Sequence, residues 1–392
     1  MLKSHKMALD ANNKQATYFK KAWGVARFAY NWTLAEWKLL FEAGEKPTEA
    51  SLRRRINAIK HEQYPWMLEV TKNAPQMAII HLGQAFKNFF AGKADYPTFK
   101  KKGVHDSFTL TNDQFTVNGR QIRIPNLGWV KMRESLRFTG TIMSTTVSRQ
   151  ADRWFVSITV DTEETPPPCE SQAAVGVDLG VNRLASMSDG TLVEGKKPHK
   201  ALLCRLRRLS RSLARKQPGS SHWKKAKREL ARLHVRIANI RNDEMHKLTT
   251  EIASTYGVIV IEDLNVRGMM ANHRLARALG DMGFHEFRRQ LEYKSAMRGG
   301  LVIVADRWFA SSKICSEGGY KMESMPLSVR SWICSECGTH HDRDLNAAKN
   351  LAKLAVSSTV TACGGEGSGA VRLDSVKPAS KKQEFNVKNT YA

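Results

Sequence analysis

The sequence predicts a multidomain α+β protein. It reads as an N-terminal helical bundle, a small β-barrel or sandwich, and an α/β domain that carries a basic helical hairpin and a cysteine knuckle. Three observations lead there. Apolar residues recur at helical spacing over residues 12–91 and at alternating spacing over 107–161. From residue 174, short apolar strands alternate with helical stretches. Finally, 392 residues are too many for one small core, and a hydrophobic content of 42% is enough to build several.

Residues 12–44 are predicted as one long helix, capped by Asn12 or Asn13 and ended at Gly44. Phe19, Trp23, Ala26, Tyr30, Leu34, Trp37 and Phe41 mark its apolar face. A second helix begins at Thr48, Tyr64-Pro-Trp66 is a break, and residues 73–91 form a third helix with Met77, Ile80, Phe86, Phe89 and Phe90. These aromatics read as bundle core. The polar residues beside them, Asn31, Gln76 and Lys87, are the candidates for touching nucleic acid. The loop Tyr96-Pro-Thr-Phe-Lys-Lys-Lys-Gly103 sets Lys100, Lys101 and Lys102 next to an aromatic. That composition suits phosphate contact without sequence readout. Over residues 107–161, short alternating runs are split by turns such as Val117-Asn-Gly119 and Pro125-Asn-Leu-Gly128, the spacing of a small barrel or sandwich. Thr165-Pro-Pro-Pro-Cys-Glu-Ser171 is a stiff linker.

In the α/β part, Ala174-Val-Gly-Val-Asp178, Tyr256-Gly-Val-Ile-Val-Ile-Glu262 and Leu301-Val-Ile-Val304 read as buried strands. Asp189-Gly190 is a hairpin turn. Residues 196–247 hold 17 Lys and Arg against 3 acids, a net of +14. Leucines 202, 206, 209 and 213 mark one apolar stripe, and Leu230, Leu233, Ile237 and Ile240 mark another. Gln217-Pro-Gly-Ser-Ser221 lies between them, so this stretch is an antiparallel helical hairpin with charged outer faces. Arg205, Arg208, Arg211 and Arg215 on its first arm are candidate nucleic-acid contacts. After Val356 comes a Gly-rich run and then a Ser/Lys-rich tail over 357–392, expected to be disordered.

The whole chain has 62 basic and 37 acidic residues, a formal charge of +25. So large an excess points to a polyanionic partner, foremost nucleic acid. The N-terminus lacks an apolar run long enough for a signal peptide. Val258-Ile-Val-Ile261 is far shorter than the roughly 20 residues of a membrane helix. The expectation is a soluble protein of the reducing cytoplasm. Six irregularly spaced cysteines, of which only Cys315, Cys334 and Cys337 cluster, argue for a metal site over a disulfide framework.

Three carboxylates carry the chemistry. Asp178 and Glu262 each end a buried strand, and Asp344 precedes a helix. Acids at strand ends face the carboxyl edge of a sheet, where ligand clefts form. Crowded carboxylates repel one another unless a cation neutralises them. Magnesium favours carboxylate oxygens and leaves positions open for phosphates. Two such ions suit in-line hydrolysis of a phosphodiester. Asp263 and Asp342 are the runner-up ligands. Taken singly, Asp344 can equally be read as the cap of its helix.

Gly176-Val-Asp-Leu-Gly-Val-Asn182, Ile261-Glu-Asp-Leu-Asn265 and His341-Asp-Arg-Asp-Leu-Asn-Ala-Ala-Lys-Asn350 resemble the three RuvC-type nuclease motifs of the TnpB family. Phe28-Ala-Tyr-Asn-Trp32, the basic loop at 96–103 and Pro326-Leu-Ser-Val-Arg-Ser-Trp-Ile-Cys334 are similar to further family signatures. The resemblance covers nearly the whole chain. It implies an RNase H-like (RuvC) nuclease domain over 173–306 and 343–356 that includes the basic hairpin. It also implies a wedge-like β-barrel over 1–11 and 97–170, a helical recognition domain over 12–96 and a zinc-knuckle insertion over 307–342. The activity implied is that of a transposon-encoded prokaryotic DNA endonuclease, guided by an RNA derived from the transposon end and directed to double-stranded DNA beside a short flanking motif. Asp178, Glu262 and Asp344 match the family's catalytic acids and magnesium ligands. Arg343 joins the candidate nucleic-acid contacts, and Gln76 becomes the candidate reader of the flanking motif.

The knuckle departs from the pattern. Cys334-x-x-Cys337 is intact, but its partner half is Cys315-Ser-Glu-Gly318, with glycine where the family pattern places cysteine. A structural zinc ion takes four ligands. Cys315, Cys334 and Cys337 leave the set incomplete, with His340 or His341 as possible fourth members. Two other readings compete with the RNA-guided nuclease. One is a nuclease-deficient RNA-guided DNA-binding regulator, which Gly318 alone supports. The other is a transposase performing strand transfer, whose helical acid would usually be Glu rather than Asp.

Overall fold

The computed structural model describes residues 1–363 apart from His105 and Leu327, with side chains described as far as Ala355. The chain opens with strand β1 (Leu2–Asp10) and helix α1 (Asn13–Glu42), followed by α2 (Glu49–Gln63) and α3 (Asn73–Phe90). Asn12 and Thr48 cap the first two helices in capping boxes, with Gln15 and Ser51 as the reciprocal partners. The predicted break appears as a short 3₁₀ turn, Pro65–Glu69.

Next come β2 (Ser107–Thr111), β3 (Thr116–Asn118), β4 (Gln121–Ile124), β5 (Gly128–Met132), β6 (Thr141–Gln150) and β7 (Arg153–Asp161). With β1 they form one seven-stranded antiparallel sheet in the order β2-β6-β7-β1-β5-β4-β3. The N-terminal strand is central in it, since Leu2 to Leu9 pair with Asp161 to Trp154. One hydrophobic cluster joins this sheet to α1 and α3, with Phe19 against Trp154 and Phe108. Bundle and sheet therefore share one core.

The second half begins with β8 (Ala174–Leu179), β9 (Ala185–Met187) and β10 (Leu192–Val193). The helical stretch holds α4 (Pro198–Ala201), α5 (Leu203–Ala214) and α6 (Ser221–Thr255). Strand β11 (Val258–Glu262) is followed by α7 (Val266–Met270), α8 (Ala276–Met282) and α9 (Phe284–Ala296), then β12 (Leu301–Ala305). The sequence reading assigned no helix between residues 263 and 297. The signal was present, because Phe284, Phe287 and Leu291 are spaced for one helical face and all three are buried. The knuckle carries the two-stranded ribbon β13 (Ser331–Ile333) and β14 (His340–Asp342), and α10 (Arg343–Cys363) is the last described element. Helix α10 runs past residue 356, so the tail begins as helix, and residues 364–392 lie outside the described residues.

The second sheet has the order β10-β9-β8-β11-β12, with β8, β11 and β12 parallel. Its central strands are covered on both sides, as their continuous apolar runs require. Val175, Val177, Ile259 and Ile261 face α6, α8 and α9. Val260 and Ala305 face Leu351 and Ala355 of α10. Among the described residues, no helix is long and apolar enough to cross a membrane.

Candidate active site

Strand alternation decides which side chains reach the α10 face. On β8, Val175 and Val177 point to the α6–α9 core, so Gly176 and Asp178 point to α10. On β11, Val260 and Glu262 share that side. The parallel register pairs Val177 with Ile261, so Asp178 and Glu262 stand side by side one step further along.

Helix α10 brings the third acid. It can lie directly on β8 because residue 176 has no side chain. A Cβ there would run into the backbone of Ala348 and Ala352. Asp344 sits one helical turn before Ala348, which puts it over the strand ends. Three acids from distant parts of the chain thus come near enough for their charges to act on one another, without their oxygens all lying within the 4.8 Å that gathers the knuckle sulfurs. Burial raises the Asp178 carboxyl well above the ordinary aspartate range, and the charges of Glu262 and Asp344 raise it further. A set of crowded carboxylates of this kind suits a divalent cation.

Asp342 and Asp344 have separate roles in the geometry. Asp342 caps α10, its Oδ1 accepting from the backbone N–H of Asp344 at 3.0 Å and of Leu345 at 3.1 Å. Its other oxygen meets Arg183 at 3.2 Å. Asp344 is therefore not the cap; its side chain is 22% exposed, and among the described residues its ion-pair partner is Arg330 at 3.8 Å. Asp263 points elsewhere and is paired by Arg288 and Arg307. The runner-up acids are thus both held in other interactions.

Sequence reasoning missed a supporting group. Ser311 donates its hydroxyl to Glu262 Oε1. The loop from Ser311 to Ser316 is fixed on α10 by two asparagines. Asn350 Nδ2 donates to the carbonyls of Ser311 and Ile314 at 2.8 and 2.6 Å. Asn346 donates to the Ile314 carbonyl at 2.7 Å and accepts from the Ser316 N–H at 2.8 Å. Both asparagines stand in the motif quoted above, but nothing in the sequence shows where their amides go.

A cleft of about 490 Å³ opens beside Glu262. Arg267, His285, Arg288, Arg289 and Arg307 line it. These residues were also missed: Arg267, His285, Arg288 and Arg289 come from helices the sequence reading left out, and Arg307 from the loop after β12.

The other predicted contacts scatter over the surface. Asn31 holds the Lys100 backbone, accepting from its N–H at 2.8 Å and donating to its carbonyl at 3.0 Å. The Lys100 ammonium lies 4.0 Å from the Tyr30 ring centroid, and burial lowers its pKa. Lys101 and Lys102 are exposed. Gln76 lines a groove with Arg53, Asn57, Lys60 and Lys72. Arg208, Arg211 and Arg215 line one face of α5 together with Arg207, while Arg205 is exposed beside that face. Arg343 donates to the carbonyls of Pro326 and Val329.

Cys315, Cys334 and Cys337 meet with all sulfurs within 4.8 Å of one another. The cluster holds these three residues and neither histidine. His340 is exposed, while His341 is buried beneath Trp332, its Nε2 3.1 Å from Cys315 Sγ. Thr339 pulls the Cys337 thiol down to about 7, its side chain contributing most. A low-pKa thiol among two others suits a soft cation.

Three family profiles match the sequence. One described as "Probable transposase" covers residues 157–273, one described as "Cas12f1-like, TNB domain" covers 284–351, and one described as "Helix-turn-helix domain" covers 1–46. In this structure the last span is a strand and one long helix. A Streptomyces pristinaespiralis protein named "Putative RNA-guided DNA endonuclease" is 36% identical over 367 residues, covering 90% of this chain and 88% of that protein. The Escherichia coli K12 protein named "Putative RNA-guided DNA endonuclease InsQ" is 34% identical, covering 93% of this chain and 94% of that one. Among solved structures, the chain is similar to a chain of the "Cas12f1-sgRNA-target DNA complex", with a TM-score of 0.56 and 15% identity over 86% of this chain and 83% of that one. At that identity the likeness speaks for the fold.

Proposed function

The chain belongs to the TnpB family, and from that premise we propose that it is an RNA-guided DNA endonuclease whose cutting centre is Asp178, Glu262 and Asp344. The observation that carries the reading is the approach of these three acids: burial, and then the charges of Glu262 and Asp344, leave Asp178 protonated more readily than an ordinary aspartate. Divalent cations bound there, magnesium foremost, would neutralise the carboxylates and supply Lewis-acid chemistry for hydrolysis of a phosphodiester. The chain's own residues do the rest. Ser311 fixes the orientation of Glu262. Asp342 and Gly176 seat α10 so that Asp344 faces the strand ends. In the cleft beside Glu262, Arg267 and His285 face a phosphate backbone at the reacting position, while Arg288, Arg289 and Arg307 are already paired with Asp263 and Glu286.

In the same reading, the guide RNA derives from the transposon end and lies on the arginine face of α5. Residues 12–96 form the recognition unit, where Gln76 reads a flanking motif on double-stranded DNA. The strands of 1–11 and 97–170 form the wedge, 173–306 with 343–356 the nuclease unit, and 307–342 the knuckle. A zinc ion would be held by the three cysteines. The test is to purify the full chain from cells carrying its transposon ends, sequence the RNA that accompanies it, and add magnesium and matched DNA. Guided cutting that disappears in Asp178→Ala is the expected result. Absence of bound RNA, or cutting that survives Asp178→Ala, overturns the reading.

A further inference from the structure

The knuckle is built from two copies of one turn. Cys315-Ser-Glu-Gly-Gly319 and Cys334-Ser-Glu-Cys-Gly338 match at four of five positions. Their backbones match as well. Gly319 N–H donates to the Cys315 carbonyl at 2.9 Å, and Gly338 N–H to the Cys334 carbonyl at 2.9 Å. Cys315 N–H donates to the Tyr320 carbonyl at 2.8 Å, and Cys334 N–H to the Thr339 carbonyl at 2.9 Å. Gly319 and Gly338 hold φ of 75° and 70°, the left-handed conformation such a turn demands. Gly318 is therefore the positional counterpart of Cys337.

The geometry around Gly318 is that of a missing ligand. A Cβ placed there would sit 3.4 Å from Cys337 Sγ and 3.9 Å from Cys315 Sγ, facing the cluster. Residue 318 does not have the positive φ of Gly319, so its backbone accepts a side chain. The Cys315 and Cys337 sulfurs are 3.5 Å apart. That is near the roughly 3.8 Å edge of a tetrahedron with zinc–sulfur bonds of about 2.3 Å. Gly318 and Cys337 are both exposed. His341 approaches Cys315 and stays outside the cluster, so it supports a thiolate instead of filling the corner.

We propose that the knuckle binds one zinc ion through Cys315, Cys334 and Cys337 and leaves its fourth position, at Gly318, open to solvent and exchangeable for a small-molecule thiol. Structural zinc sites are closed, whereas an open position is the mark of exchange. This inference does not depend on the nuclease reading, because its readout is the metal itself.

The test loads the purified full chain with Co²⁺ in place of zinc and titrates 2-mercaptoethanol while recording the visible absorption. The wild type is expected to show a three-thiolate spectrum that shifts toward a four-thiolate one as thiol is added. Cys315→Ser removes the signal. Gly318→Cys gives the four-thiolate spectrum without added thiol and does not respond to it. It also slows zinc loss to a chelator by about tenfold or more. The proposal is overturned if the wild type binds no cobalt, if its spectrum ignores thiol, or if thiol acts only after His341→Ala. The last outcome would make His341 the fourth ligand. Should Gly318→Cys fail to fold, the thiol titration of the wild type decides alone.

Discussion

A carboxylate at position 178 burdens the fold that carries it. Its pKa in the folded protein is raised by burial and by Glu262 and Asp344, so the folded chain holds that proton more tightly than the unfolded chain does. For an acid of this kind, stability falls as pH climbs from the unfolded value of about 3.9 toward the raised folded value, and the full penalty persists above it. Asp178→Asn removes the charge and keeps the shape. In metal-free buffer, the variant is expected to melt above the wild type at pH 7–8 and to lose that advantage near pH 4. Magnesium should raise the wild-type melting temperature and leave the variant nearly unmoved. Its cutting rate should fall by roughly 10³-fold or more, since several kcal/mol of transition-state stabilisation go with the ligand. Thermal scans across pH, with and without magnesium, check the first part. A variant that melts below the wild type at pH 8 would contradict the assigned crowding. By contrast, Asp342→Ala removes a helix cap and should lower stability by about 1 kcal/mol at every pH above the carboxylate range.

At the scale of elements, the site depends on how α10 is seated. Gly176→Ala puts a methyl group into the backbone of Ala348 and Ala352, so helix and strand must separate. Overpacking of this kind costs about 1–3 kcal/mol, and it moves Asp344 away from Asp178 and Glu262. Guided DNA binding should survive in this variant while cutting is lost, which filter binding and gel assays on one preparation can separate. Ser311→Ala is gentler. It frees Glu262 and should raise the magnesium concentration needed for half-maximal cutting by about 10–100-fold, with Ser311→Thr restoring part of the loss. An unchanged magnesium dependence would mean that Ser311 does not position Glu262. These elements also mark what the sequence could reveal. The strands ending at Asp178 and Glu262 were legible because continuous apolar runs have few other folds. The helix after Asp344 was legible from its Ala- and Leu-rich run. That Asp342 caps α10 and leaves Asp344 free was not legible, since two acids two residues apart are equivalent until the helix start is fixed. Ser311 was hidden for a different reason. Its role depends on a loop pinned to α10 by Asn346 and Asn350, contacts that join residues thirty or more apart and leave no periodic trace. The arginine cleft was missed because α7 is short, the apolar face of α9 was passed over, and Arg307 lies in a loop.

For the whole molecule, the charge of +25 is not spread evenly. Many arginines of the nuclease half are already paired, as Arg288 and Arg307 are with Asp263, and Arg289 with Glu286. The α5 face is different. Arg207, Arg208, Arg211 and Arg215 line it together, with no acid among its lining residues. None of the α5 side chains is buried, so this helix contributes little to any core, and its charges repel one another. A polyanion laid along that face would relieve the repulsion and release counterions. Each phosphate on a single strand contributes about 0.7 to the slope of log affinity against log salt. Replacing Arg208, Arg211 and Arg215 together by alanine should therefore lower that slope by about 2 for the RNA that purifies with the protein, and weaken binding alike for unrelated RNAs of equal length. The α5–α6 pair should still fold, because the half-buried residues of α5 include Leu206, Leu209 and Leu213, while the replaced arginines are exposed. Circular dichroism and binding isotherms at several salt concentrations would measure both effects. If the slope is unchanged while the helix content holds, the arginine face of α5 does not carry the RNA.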